Sequence, residues 1–180
     1  RFGNRITRII APGGALKLWS DCVIEIDGEP FFHQHAPQVL DDGSLLVYDN
    51  GNDRPGGERY SRAVIYDLAI DDGPDQSAAP ATAVEVWEHR VDDVDGTPLY
   101  AAFLGDADRL ANGNVLITHG GIGQPFGDNQ RARIIEIAPG EGGDIVFDLQ
   151  FGTGAVGATV YRADRIDTLY NGVLWADSAN

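Results

Sequence analysis

The sequence predicts an all-β fold of the β-propeller class, with two to three blades of antiparallel strands in this chain of 180 residues. A turn-and-strand unit at residues 40–47 recurs at 110–117, and Gly43 and Gly113 occupy the same place in it. Twenty-three glycines and nine prolines favour many turns between short strands over long helices. Repeated units of three or four strands are typical of propeller blades, and the repetition disfavours the alternative, a β-sandwich of similar meanders.

Each unit continues with further strands. Residues 63–68 correspond to 133–137, and residues 84–88 correspond to 144–148. The last pair alternates apolar and polar residues, as a half-buried outer strand does. The units recur at roughly 60–70 residues, which exceeds an ordinary blade of about 40–50 residues, so we expect insertions. The candidate insertions are residues 53–60, 71–83 and 120–130.

Both ends of the chain fit the same repeat. Residues 9–13 mirror 136–140, and residues 162–166 echo 106–110. Two to three blades cannot close a ring, so we expect a piece of a larger propeller. The expected division of this single domain is the end of one blade and a connection over 1–30, a blade over 31–100, a second blade over 101–155 and the start of the next over 156–180.

The charge of the chain restricts its partners. A net charge of -15 and a pI near 4.3 argue against nucleic acid and anionic membrane surfaces, because both select clustered Lys and Arg. A small anionic substrate stays open, since a few local cations can dominate a pocket. No run of about 18 apolar residues occurs, so no membrane span is expected. Cys22 stands alone, which excludes an intrachain disulfide.

The first candidate site surrounds an apolar strand at residues 45–48. His33 and His35 precede this strand, and Asn50 and Arg54 follow it. Two imidazoles could act as acid and base, and a guanidinium suits an oxyanion such as sulfate or phosphate. The alternatives are a surface or packed histidine pair and a simple turn, which the composition of residues 49–51 also supports.

A third histidine falls at the matching point of the next repeat. His119 follows the strand at residues 115–118 and takes the position that Asp49 has in the first unit, so both could face one central axis. The alternative is an ordinary histidine at a strand end, and His89 is expected to be structural. The Asp-rich segments 71–75 and 92–96 lack the spaced Glu of an EF-hand loop, so no metal site is expected.

Several runs of the chain resemble the bacterial arylsulfate sulfotransferases. The most specific is the Gln-His to Asp-Asn-Gly to Ser-Arg order, which runs from Gln34 to Arg62. The likeness covers most of the chain from about Phe31 onward. The matching runs are residues 33–54, 60–68, 86–89, 108–117 and 161–166.

This resemblance implies a six-bladed, exported propeller, hence a periplasmic or secreted protein. It implies transfer of a sulfuryl group from an aryl sulfate to a phenol through a sulfated histidine, without the nucleotide donor PAPS or any other cofactor. The small-molecule partners are then an aryl sulfate and a phenol, and a homodimer stays open. The fragment alone is expected to be inactive.

The residues that match the family pattern receive roles from the resemblance. His119 is the expected sulfated residue, with His35 and Arg54 completing the catalytic set. The expected substrate-binding residues are Asn50, His33, Tyr60 and Arg62. Two alternatives remain, namely a propeller that only binds or scaffolds, with contacts on residues 53–60 and 120–130, and a metal-dependent hydrolase or dehydrogenase.

Overall fold

The computed structural model describes residues 8–10, 16–18, 24–69, 81–123, 129–140, 143–152 and 157–166. Every regular element within them is a β-strand, so the all-β prediction is confirmed. None of these residues forms a helix long and apolar enough to cross a lipid bilayer. The strands are β1 (Arg8–Ile10), β2 (Leu16–Leu18), β3 (Ile24–Asp27), β4 (Gln34–Val39), β5 (Leu45–Asp49), β6 (Arg62–Ala69), β7 (Ala81–His89), β8 (Ala101–Phe103), β9 (Asp106–Arg109), β10 (Val115–Ile122), β11 (Arg131–Ile137) and β12 (Ile145–Phe151).

The first blade is the sheet that contains β3 to β7. Strands β4, β5, β6 and β7 lie side by side in sequence order and are antiparallel to one another. All five residues of β5 are buried, because the strand is covered on both faces, and a continuous apolar run is typical of such a strand. Strand β3 adds a parallel outer edge, with Ile24 opposite Ala81. The repeat did not predict this extra strand.

The second blade is the sheet that contains β8 to β12. Strands β9, β10, β11 and β12 repeat the antiparallel order of the first blade. Strand β9 pairs with β10 from Val115 to Thr118, and β8 pairs with the same edge at Gly121 and Ile122. The short link between β8 and β9 consists of Leu104 and Gly105, and it therefore lies where the pairing of β10 changes strands.

The two blades reproduce the sequence repeat in their hydrogen bonds. The turn before β5 bonds Leu40 N to Ser44 O at 2.8 Å, and the turn before β10 bonds Leu110 N to Asn114 O at 2.8 Å. Gly43 and Gly113 have φ of 88° and 85°, a left-handed conformation that glycine adopts without a steric penalty. The two turns are thus the same structure twice, as two blades of one propeller require.

The blades pack face to face through one apolar cluster. Alternate residues of β5 and β6 meet alternate residues of β9, β10 and β11, as the two-residue period of a strand dictates. Full burial of each larger side chain contributes about 1.5–3 kcal/mol, so this cluster holds the blades together. The cluster contains Leu40, Leu46, Tyr48, Ala63 and Ile65 on one side and Ala107, Val115, Ile117, Ile135 and Ile137 on the other.

The opposite face of the second blade is more open. Val146, Phe147 and Leu149 of β12 are exposed, and a cavity of about 660 Å³ lies over this face. In a propeller the next blade covers such a surface. Residues 157–166 run past it without forming a strand, and residues 167–180 lie outside the described part. The expected division into blades at 1–30, 31–100, 101–155 and 156–180 therefore stays a prediction.

The expected end of the second-blade strand at His119 was wrong. Strand β10 continues through His119 to Ile122. It can do so because the next two residues are glycines: a Cβ on Gly121 would lie 2.6 Å from Phe103 O, and one on Gly120 would collide with Val160 O. The predicted insertion at 120–130 therefore begins in a strand, and residues 124–128 lie outside the described part, as do residues 71–75.

Candidate functional site

The site begins with a folded tip at residues 49–54, just after β5. The Asp49 carboxylate is fully buried and accepts hydrogen bonds from Phe32 N at 2.6 Å and from Gly51 N at 3.0 Å. Gly51 N in turn donates to Phe32 O at 2.8 Å. These bonds attach the tip to the chain segment that leads into β4. His33 lies in that segment and His35 lies in β4.

His33 and His35 lie beside this tip. His35 is in β4 and half-buried, whereas His33 precedes the strand and is exposed. Their rings lie 5.6 Å apart. The backbone turns left-handed on both sides of His35, with φ of 67° at His33 and 45° at Ala36, and β4 bulges away from β5 at this point. Such conformations cost about 1–3 kcal/mol each outside glycine, and they occur most often at functional sites.

Asn50 connects the histidine to the second blade. Its side chain is fully buried, and Oδ1 lies 2.5 Å from His35 Nδ1. Its Nδ2 donates to Ala101 O at 2.7 Å and to Leu104 O at 2.8 Å. The Ser61 hydroxyl adds a bond to Asn50 O at 2.9 Å. The amide therefore joins β4 of one blade to the β8–β9 link of the other.

His119 lies in the interface between the blades and is only 1% exposed. Its Nδ1 is 2.9 Å from the hydroxyl oxygen of Tyr48, and the two rings meet edge to face. Burial, assisted by the nearby Arg133 guanidinium, lowers the pKa of His119 to about 3, so its imidazole is neutral. Tyr48 is also the residue opposite His35 in the β4–β5 ladder, so its backbone pairs with the strand of one histidine and its hydroxyl with the ring of the other.

Arg54 is buried in a different environment from the histidines. Its guanidinium pairs with Asp49 Oδ2 at 3.0 Å and with the Glu29 carboxylate. It also lies 3.8 Å from the centre of the Tyr60 ring. Burial and a hydrogen bond to Glu29 raise the pKa of Tyr60 to about 12, so Tyr60 stays protonated and donates. The oxyanion role expected for Arg54 stays a prediction, and it would require a sulfate to replace Glu29.

Arg62 belongs to the same network and is fully buried. Its Nε lies 3.3 Å from Asp49, and its Nη1 lies 3.2 Å from Glu85 and 2.6 Å from Glu88. The guanidinium of Arg62 thus has carboxylates of the protein as its partners, and its pair with Asp49 stabilises the tip at residues 49–54. The structure thus brings His33, His35 and Asn50 together, places His119 against Tyr48 of the neighbouring strand β5, and holds Arg54, Tyr60 and Arg62 in a separate ion-pair network.

Sequence reasoning missed the partners of these residues. Glu29 precedes β4, whereas Glu85 and Glu88 lie together in β7, and no local pattern marks them as partners of the arginines. Asp106 was also missed; it is buried near the β8–β9 link, and burial followed by repulsion from Asp108 raises its pKa to about 6. The repeat contained no signal for Asp106, because the matching position before β5 is Ala36.

Comparisons with known proteins agree with this architecture. No curated protein matches the chain, and no solved structure matches it. No group of three or more His, Cys, Asp or Glu side chains among the described residues could hold a metal ion. A family model, described as Arylsulfotransferase (ASST), matches residues 16–162, which is most of the chain and includes both blades and all the site residues. The chain therefore belongs to the arylsulfotransferase (ASST) family.

Proposed function

We propose that this chain takes part in the transfer of a sulfuryl group from an aryl sulfate to a phenol through a sulfohistidine, without PAPS. His119 is the sulfated residue and His35 carries the proton. The observation that carries the proposal is the placement of the two histidines: half-exposed His35 is bonded to Asn50, and Tyr48, the residue opposite His35 in the β4–β5 ladder, is bonded to His119. Family membership supports the reaction class.

The reaction consists of two displacements at sulfur. In the first, a nitrogen lone pair of His119 attacks the sulfur of the aryl sulfate; an N–S bond forms, the S–O bond breaks, and the departing phenolate oxygen takes a proton from the imidazolium form of His35, which leaves a phenol and a neutral His35 ring. In the second, the acceptor phenol gives its proton to His35 while its oxygen attacks sulfur, and the N–S bond breaks. Division into two steps with a good leaving group each time lowers the barrier of both.

Two features support His119 as the nucleophile, and a third, its burial, requires part of the protein to move before the reaction. Its imidazole is neutral, so a lone pair is available, and its Nε2 has no hydrogen-bond partner among the described residues. The requirement comes from its burial. Because the ring is almost fully buried, the residues packed around it must move aside before a sulfuryl group can reach it.

The test is mass spectrometry of the full-length protein after incubation with a phenyl sulfate donor. A covalent adduct of about 80 Da, one sulfuryl group, should map to His119 and be absent from His119→Ala. His35→Ala should lose turnover, whereas Asp41→Asn, at an exposed turn residue outside the site, should keep it. An adduct on His35 would exchange the two roles. Retained turnover in both alanine variants would refute the sulfohistidine route.

A second candidate function is a propeller that binds ligands or partners without transferring sulfate. The ion pairs of Arg54 and Arg62 favour it, because both guanidiniums already pair with carboxylates of the protein. This candidate predicts no adduct on any histidine. The same mass spectrum therefore separates the two functions.

We also propose that the protein acts outside the cytoplasm, in the periplasm or after secretion. This rests on family membership. Fractionation of the native cells, with the protein detected by antibody, would test it. Recovery in the cytoplasmic fraction alone would contradict it.

A further inference from the structure

We propose that Asn50 is a positioning residue that fixes the tautomer of His35, with the proton on Nδ1 and the lone pair of the neutral ring on Nε2. Sequence analysis assigned Asn50 to substrate binding. The catalytic consequence rests on the proposed function, but the tautomer itself does not. Two bonding constraints, each from a different set of atoms, lead to this conclusion.

The first constraint fixes the orientation of the Asn50 amide. Ala101 O and Leu104 O are carbonyl oxygens and can only accept hydrogen bonds, so the atom that faces them must be the NH₂ group. A flipped amide would place Oδ1 against two carbonyl oxygens and leave all three without a proton to share. Both N–H groups of Asn50 are therefore used within the protein, and its side chain is fully buried, so it has no donor left for a substrate.

The second constraint fixes the proton of His35. With the NH₂ group directed to the second blade, the atom 2.5 Å from His35 Nδ1 is the amide oxygen, which can only accept. Nδ1 must then carry a hydrogen. In the neutral imidazole the other nitrogen, Nε2, holds the lone pair, and no hydrogen bond occupies it among the described residues. Nε2 is thus the atom of His35 that can exchange a proton with a ligand.

The two blades together determine this tautomer. His35 and Asn50 belong to the first blade, whereas Ala101 and Leu104 belong to the β8–β9 region of the second. Leu104 has a left-handed backbone with φ of 59°, a strained conformation for a residue with a side chain. The carbonyl of this strained residue is one of the two that orient the Asn50 amide.

The first test reads the tautomer in the wild-type ring. The full-length protein is labelled with ¹⁵N-histidine, His35 is assigned by the loss of its signals in His35→Gln, and the wild-type ring shifts are read at the alkaline plateau of a pH series. We expect a protonated Nδ1 and an unprotonated Nε2. The opposite tautomer, or a rapid average of the two, would overturn the proposal whether or not the protein transfers sulfate.

Variants then test the cause. Asn50→Ala should shift His35 toward the average of both tautomers, because it removes the oxygen acceptor at Nδ1. Asn52→Ala is the matched control, because Asn52 also donates to the second blade, at 2.9 Å to Ala102 O, but contacts no imidazole. A tautomer change in Asn52→Ala, or none in a folded Asn50→Ala, would contradict the assignment.

A kinetic readout connects the tautomer to the reaction. Asn50→Ala should lower kcat by about 100-fold or more with little change in KM, because the proton carrier is misoriented while substrate binding is untouched. A rise in KM at constant kcat would instead identify Asn50 as a substrate-binding residue. If the wild-type tautomer is as proposed but no sulfated histidine forms, the positioning role stands and the proposed function fails.

Discussion

Replacement of Gly105 by alanine should destabilise the protein at the joint between the two blades. Gly105 follows Leu104 in the β8–β9 link and has φ of 125°. A Cβ at this position would lie 2.5 Å from Cδ1 and 2.8 Å from Cζ of Tyr48. These distances are well below van der Waals contact, and Tyr48 is fully buried, so its ring cannot swing into solvent.

The expected loss combines two effects. A left-handed backbone costs an L-residue about 1–2 kcal/mol, and an extra carbon in a well-packed core costs about 1–3 kcal/mol. Together they predict that Gly105→Ala lowers the free energy of unfolding by about 3 kcal/mol. The matched control is Gly113→Ala, because Gly113 has φ of 85° but no atom within 4 Å of the added carbon. Only the backbone effect, about 1 kcal/mol, should remain there.

Urea unfolding followed by tryptophan fluorescence measures both variants, and the difference between them isolates the contact with Tyr48. The displaced ring should also weaken the bond from the Tyr48 hydroxyl to His119, which the ¹⁵N shifts of His119 would report. Equal losses in Gly105→Ala and Gly113→Ala would refute the packing argument. A stable Gly105→Ala with unchanged His119 shifts would do so as well.

Two further predictions concern charge. Arg62→Met should cost about 3 kcal/mol or more in urea unfolding, because it removes one of the two guanidiniums that pair with the fully buried Asp49 carboxylate, whereas Arg133→Met, at the more exposed pair with Asp148, should cost about 1 kcal/mol or less; equal costs would contradict the burial argument. Burial lowers the pKa of His119 from 6.5 to about 3, so its neutral ring supports folding above pH 6.5 and that support is lost as the pH falls toward 3. His119→Gln should therefore flatten the acid side of the stability profile, and an unchanged profile would count against a buried neutral ring.

Local sequence signals predicted the strands and turns well. The Gly43 and Gly113 turns, the four-strand order and the equivalence of the two blades follow from residues that are neighbours in sequence, because a left-handed glycine and a two-residue period act over a few positions. The parallel strand β3 and the continuation of β10 beyond His119 were not predictable in this way. Both depend on contacts with distant segments, at Ala81 and at Val160.

The candidate site was predicted in part. The sequence identified His35 and Asn50 as members of one site but gave them independent roles, because nothing in the local pattern reveals a bond between residues fifteen positions apart. Arg54 and Arg62 were expected to face a ligand. Their carboxylate partners include Glu29 and Glu88, and only the folded chain brings these groups within reach.

By itself the sequence determined the class of fold, the repeat that makes two similar blades, and the family. These depend on patterns among neighbouring residues and on motifs that can be recognised in the sequence without the fold. The tertiary structure alone decided which charges neutralise one another, which histidine is buried and which is half-exposed, and how the Asn50 amide is oriented. Those properties depend on distances of a few ångströms between residues far apart in the chain, and hydrogen bonds and ion pairs vary steeply over such distances.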